Sequence, residues 1–130
     1  MELKELDAHE VSLIVSHHEL GTMGNALNEV CNGIAVEDFE TKMGAELSRV
    51  HDLLEDIIQI YHQMKQTEAL YAVVSWSRHE LRAIIGALEE VCEEIDAIEF
   101  ATRMSAQRSE VDQILDEIIP IYDKMKQVRI

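Results

Sequence analysis

The sequence predicts an all-α fold, a four-helix up-and-down bundle built from two duplicated antiparallel helical hairpins. Three observations carry this expectation. Residues His18–Gln66 align without gaps on His79–Gln127, an offset of 61, and 23 of these 49 positions are identical. In both copies the apolar residues recur at heptad spacing, which marks helices that bury one stripe. The breaks between these runs are short, so consecutive helices are expected to be antiparallel neighbours. A period this long with only two copies fits a pseudo-symmetric pair better than a solenoid. The expected organisation is a single helical domain over residues 1–130, with repeat 1 at about 7–66 and repeat 2 at about 68–127.

The elements follow in order. In the first helix Leu13, Leu20, Leu27 and Ile34 fall seven apart, with Met23 and Val30 between them. Asn32-Gly33 supplies its stop, since glycine accepts the left-handed conformation that ends many helices. The second helix runs through Met43, Leu47, Val50, Leu54, Ile57, Tyr61 and Met64. Flanking Ile58 and Ile60 widen its stripe beyond a two-stranded seam, as a four-helix bundle requires. Sixty-one is not a multiple of seven, so a continuous helix through Gln66 would turn its apolar stripe off the core. A turn is therefore expected near Gln66–Glu68, with Thr67 as an N-cap.

The third helix repeats the first through Val74, Leu81, Leu88 and Ile95, with Ile84 and Val91 between and Trp76 on its flank. Asp96-Ala-Ile-Glu99 has the pattern of a capping box. The fourth helix runs through Met104, Val111, Leu115, Ile118, Tyr122 and Met125, and Arg108 interrupts the seam where Leu47 stood. Pro120 lies opposite that seam, where water satisfies the groups its ring leaves unpaired.

Charge narrows the function. Eleven basic residues against twenty-six acidic ones give a net charge of −15. Such a surface repels DNA, RNA and anionic membranes and favours a basic partner. No apolar run approaches membrane-spanning length. The first ten residues, MELKELDAHE, are acidic where a signal peptide is basic and then apolar. Cys31 and Cys92 occupy matching points of the repeat without a Cys-x-x-Cys motif, which reads as reduced packing residues in a cytoplasmic protein. The chain is expected to be a monomer or a homodimer.

The two copies share the phrases SHHELGT (Ser16–Thr22) and SRHELRA (Ser77–Ala83). With Leu20 on the seam, His18 falls at the outermost helical position, and His79 does the same. Glu29 and Glu90 are placed outward as well. The expected binding stripe is His18, Glu19, Thr22, Asn25 and Glu29 in copy one, with His79, Glu80 and Glu90 in copy two. The surface reading of these residues is plain solvation.

The two phrases resemble the phosphoacceptor box of the dimerisation segment of bacterial sensor histidine kinases, which continues as His-Glu-Leu-Arg-Thr-Pro. The resemblance implies that His18 and His79 accept phosphate from a receiver domain, with Glu19 and Glu80 as the neighbouring acids. Arg82 matches the arginine and Thr22 the threonine. Gly21 and Ala83 depart from those two positions, Met23 and Ile84 replace the proline, and no ATP-binding domain follows.

No metal site or cofactor is expected. Inward Glu-x-x-His pairs, which di-iron bundles need, are missing, and His17, His51 and His62 become Arg78, Asp112 and Asp123 in the second copy. The sequence therefore points to a non-enzymatic acidic helical module that binds another protein with a basic surface. One concrete form is an inhibitor or immunity-type protein. The alternative is a histidine phosphotransfer protein acting through His18 or His79.

Overall fold

In EVSLIVS (residues 10–16), Val11, Leu13 and Val15 are buried while Ser12, Ile14 and Ser16 are only half covered. That is a period of two, the period of a strand with one face on a core. The computed structural model, which describes residues 1–128, makes this segment a strand and corrects the all-α four-helix bundle to an α+β fold.

Strand β1 (Glu2–Leu6) leads to β2 (Glu10–Ser16), then α1 (His17–Asn28), which continues into one π-helical turn (Glu29–Gly33). A short α2 (Phe39–Met43) precedes the long α3 (Leu47–Gln66). The second copy repeats this order as β3 (Tyr71–Ser77), α4 (Arg78–Glu94), α5 (Ala97–Met104) and α6 (Arg108–Gln127). Residues 129 and 130 of the expected 1–130 domain lie outside the described residues. The unit that is duplicated is thus strand–helix–short helix–long helix, not a helical hairpin.

The sheet is antiparallel in the order β1-β2-β3. β2 and β3 pair in a register running from Glu10↔Ser77 through Leu13↔Val74 to Ser16↔Tyr71. Leu13 and Val74 are repeat equivalents, and each end of β2 meets the copy of its own opposite end. A local two-fold axis therefore passes through the Leu13–Val74 pair. β1 covers the other edge of β2 with a bulge between Leu3 and Glu5. Nothing in the second copy corresponds to β1, so β3 is an edge strand.

All helices pack on the sheet face that carries Val11, Leu13, Val15, Val74 and Trp76. α1 packs on α3, α4 packs on α6, and α1 meets α4 near the local axis. The short helices are exchanged between the copies: α2 lies on α4, and α5 lies on α1. Neither repeat closes its own core, so the two form one interlocked body.

Of the residues expected at the helical seams, Leu20, Leu27, Leu54, Ile57, Leu81, Leu88 and Ile118 are buried in helices, and Leu115 is partly buried. Leu13 and Val74 are buried as strand residues, and Trp76 is buried on β3. Other sequence expectations need correction. Met43 and Leu47 belong to different helices, because Gly44 at φ 71° stops α2, and Leu47 is 50% exposed. Arg108 opens α6 and interrupts nothing. Thr67 closes α3 as its C-cap and starts no helix. Asp96 precedes α5, but its side chain makes no capping bond. Pro120 is exposed within α6, and the chain turns after Gln66, both as expected.

Candidate binding site

The shared Ser-x-x-Glu of the two phrases is a pair of capping boxes. The Ser16 hydroxyl accepts from the Glu19 N–H at 3.0 Å, and the Glu19 carboxylate accepts from the Ser16 N–H at 2.8 Å. Ser77 and Glu80 do the same at 3.1 and 2.8 Å. Each box satisfies two donors that a strand running straight into a helix would leave bare. Glu19 also accepts from the Met1 ammonium at 2.9 Å. Burial alone would raise the Glu19 pKa, but the Ser16 N–H and the ammonium together hold it below its usual range.

The expected stripe is divided. His18 and His79 are exposed. The Thr22 side chain is buried and its hydroxyl donates to the His18 carbonyl at 3.0 Å. The Asn25 amide donates to the Met104 carbonyl at 2.8 Å, which ties α1 to the end of α5. Glu29 and Glu90 are 8% and 4% exposed. Both form ion pairs between the copies: Glu29 with Arg103 of α5, and Glu90 with Lys42 of α2 at 3.2 Å. Their outward placement is corrected, because the exchanged short helices cover that side of α1 and α4. The Lys42 ammonium is held more basic than usual, first by its hydrogen bond to Glu90.

His18 and His79 meet different surroundings. His18 Nε2 lies 2.5 Å from a Glu110 oxygen, and both side chains are half exposed. Glu110 is held below the usual carboxylate range, first by the Gln107 N–H and then by His18. At the position equivalent to Glu110 the first copy has Arg49, which lines a hollow together with His79. The duplication therefore gives His18 a carboxylate partner and places an arginine near His79.

Between α1 and α3 lies a hollow of about 440 Å³. Its floor is Leu20, Leu54 and Ile57, and its polar rim includes His17, His18, Tyr61 and His62. The His17 and Tyr61 rings stack with centroids 4.2 Å apart and planes within 14°. The stack sits against Gly21, where a β-carbon would approach Tyr61 to 2.9 Å.

A second exposed feature is the edge of β3. Leu70, Tyr71 and Val73 are 74%, 66% and 54% exposed. His17 N–H donates to the Leu70 carbonyl, and Arg78 N–H to the His9 carbonyl. By the alternation of an antiparallel ladder, even-numbered residues of β3 turn their backbone toward β2, and Tyr71, Val73 and Ser75 turn theirs outward. On the outer face Ile14 pairs with Val73, and the Ser12 and Ser75 hydroxyls lie 2.9 Å apart. The edge escapes sequence reasoning because the heptad spacing of Val74 and Leu81 makes Leu70–Ser77 read as helical flank. The signal that could have found it is an uncharged run of β-branched and aromatic residues.

Among the described residues one group, His51, Asp52 and Glu55, brings three ligand atoms within 4.8 Å of one another, all exposed. No helix among them is long and apolar enough to cross a membrane. Cys31 and Cys92 are free thiols, and partial burial raises the pKa of each. No protein-family model matches the chain, and comparison with curated proteins and with solved structures finds no match.

Proposed function

We propose that the protein is a non-enzymatic, acidic protein-binding module that docks an extended basic segment of another protein along β3. The observation that supports this reading best is the asymmetry of the sheet. The outer edge of β2 is taken by β1, while its repeat equivalent on β3 is open, uncharged and apolar. An open edge of this kind is a template for strand addition, with main-chain bonds supplying affinity and side chains supplying choice. Tyr71 and Val73 are the apolar anchors, and Tyr71 borders a hollow whose rim includes Glu19, Glu110 and Glu117. A net charge of −15 steers a basic partner toward that rim. An inhibitor or immunity-type role, with the module covering a basic site, is one form of this activity, and a cytoplasmic setting suits the free thiols.

The test uses a heptapeptide of alternating Lys and Val as probe. Binding is expected to weaken steeply from low to physiological salt, because screening shortens the field to about 8 Å. Val73→Pro removes an outward N–H that the fold does not use. It is expected to leave the protein folded and to abolish peptide binding. Equal binding by the folded Val73→Pro variant, or binding insensitive to salt, would overturn the proposal.

A second reading is phosphoryl acceptance on His18, which the Glu110 contact favours over His79. Incubation with a phosphorylated receiver domain is then expected to leave an acid-labile phosphate that His18→Gln removes and His79→Gln does not. Absence of label in the unaltered protein would end this reading.

A further inference from the structure

We propose that the hollow between α1 and α3 binds a small monocarboxylate with an apolar, aryl-sized body. The first support is a local break in the duplication. The second repeat has Arg82 and Ile85 where the first has Gly21 and Gly24. Ile85 is buried in α4, and the partner position, Ile118, is fully buried. In the first repeat Gly24 faces the methyl of Ile57 with no side chain of its own, and the space opens as the hollow. Glycine within a helix costs roughly 0.5–1 kcal/mol relative to alanine. Gly21 makes room for the Tyr61 ring, and Gly24, where the second repeat carries a buried isoleucine, leaves the space of the hollow open.

The lining sets the ligand chemistry. Its fourteen residues include no Asp or Glu, in a chain with twenty-six acids. Three of the six histidines, His17, His18 and His62, converge there. His17 Nε2 is buried and has no hydrogen-bond partner. A buried polar nitrogen without a partner is costly, and a ligand oxygen satisfies it once the His17 ring turns to present it to the hollow. Glu110 pairs with His18 from outside the lining, so the acid-free wall is that of His17 and Tyr61. The floor of Leu20, Leu54 and Ile57 and the flat His17–Tyr61 stack suit an apolar ring. The volume lies within the usual range for small-ligand sites. This site is separate from the β3 edge and does not depend on it.

The probes are naphthalene-1-acetate and its neutral amide, naphthalene-1-acetamide, titrated calorimetrically and by amide chemical shifts. The carboxylate is expected to saturate, with shifts confined to α1 and α3, and to bind at least about fivefold more tightly than the amide, the margin of a charge-assisted over a neutral hydrogen bond. Gly24→Ile restores the residue of the second repeat and is expected to weaken both probes at least about tenfold by filling the site. Ile58→Trp at the exposed rim is expected to do the same without touching the core, so a folding defect in the first variant leaves the test intact. His17→Phe keeps the stack on Tyr61 and is expected to make the two probes equal. Failure of either probe to saturate the unaltered protein, equal affinity for acid and amide, or full affinity in the folded Ile58→Trp variant would each overturn the proposal.

Discussion

Glu90 and Lys42 lie 3.2 Å apart and come from different repeats, and Glu29 and Arg103 are the same two positions with the repeats exchanged. The pairs clamp each short helix onto the first helix of the other copy, α2 onto α4 and α5 onto the turn that continues α1. Lys42→Met is expected to lower the unfolding midpoint more than Glu89→Gln on the exposed side of α4, because it strands the buried Glu90 carboxylate. The double variant Lys42→Met, Glu90→Gln is expected to recover part of the loss. Denaturant unfolding of these three variants and of Glu90→Gln alone measures this, and strict additivity of the two single changes would deny the coupling.

The capping boxes carry a second prediction. Ser16→Ala and Ser77→Ala each remove a side-chain acceptor at the strand-to-helix junction and are expected to cost about 1 kcal/mol. The junctions lie at opposite ends of the β2–β3 ribbon and share no partner, so the double variant is expected to cost about 2 kcal/mol. His18→Gln and His79→Gln, on the exposed side of the same helices, are expected to stay within about 0.5 kcal/mol of the parent. Chemical denaturation checks all five.

Much of this is legible in the residues, and the misreadings have physical causes. The duplication and most of the buried helical positions follow from the gap-free alignment and the apolar spacing. The strands escape that spacing because Leu13 and Leu20 happen to be seven apart although one is in β2 and the other in α1. The alternation of Val11, Leu13 and Val15 is the competing signal, and Ser16-x-x-Glu19 marks the true start of the helix. Glu29 and Glu90 read as outward because the cover over them comes from the other repeat, which a single-hairpin reading cannot contain. The α1–α3 hollow is visible in the sequence only as Gly21 and Gly24, two residues that weaken a helix without revealing what they face.

Acid sensitivity is the third prediction. The Glu19 pKa is lower in the folded protein than its ordinary 4.5. A depressed carboxyl contributes stability above its unfolded value and loses it as pH falls through the folded one. Stability is therefore expected to fall below about pH 4.5. Glu19→Gln is expected to lower stability at neutral pH and to flatten the acid limb, because the titrating partner of the capping box and of the Met1 ammonium is gone. Urea midpoints at about pH 3, 5 and 7 decide it, and an unchanged slope would show that other carboxylates set the acid limb.

The last prediction concerns Gly44 and Ser105, equivalent residues that end α2 and α5 in the left-handed conformation at φ 71° and 52°. Only one has the residue that conformation favours. A side chain there crowds its own backbone by roughly 1–2 kcal/mol, and helices that stop in this way usually do so with glycine. Ser105→Gly is expected to stabilise the protein by about 0.5–1 kcal/mol, the gain being reduced by the greater freedom of glycine in the unfolded chain. Gly44→Ser is expected to destabilise by more than that gain. It takes on the same backbone strain and brings a β-carbon to 2.9 Å from Arg82 Cγ, which lies over the turn. The double exchange would separate the two causes. If backbone strain alone acts, the double variant regains the parent's stability. If the Arg82 contact also acts, it remains less stable, and Arg82→Ala in that background recovers the difference. Thermal unfolding of the set reads the result, and a stabilising Gly44→Ser would contradict both the strain and the contact.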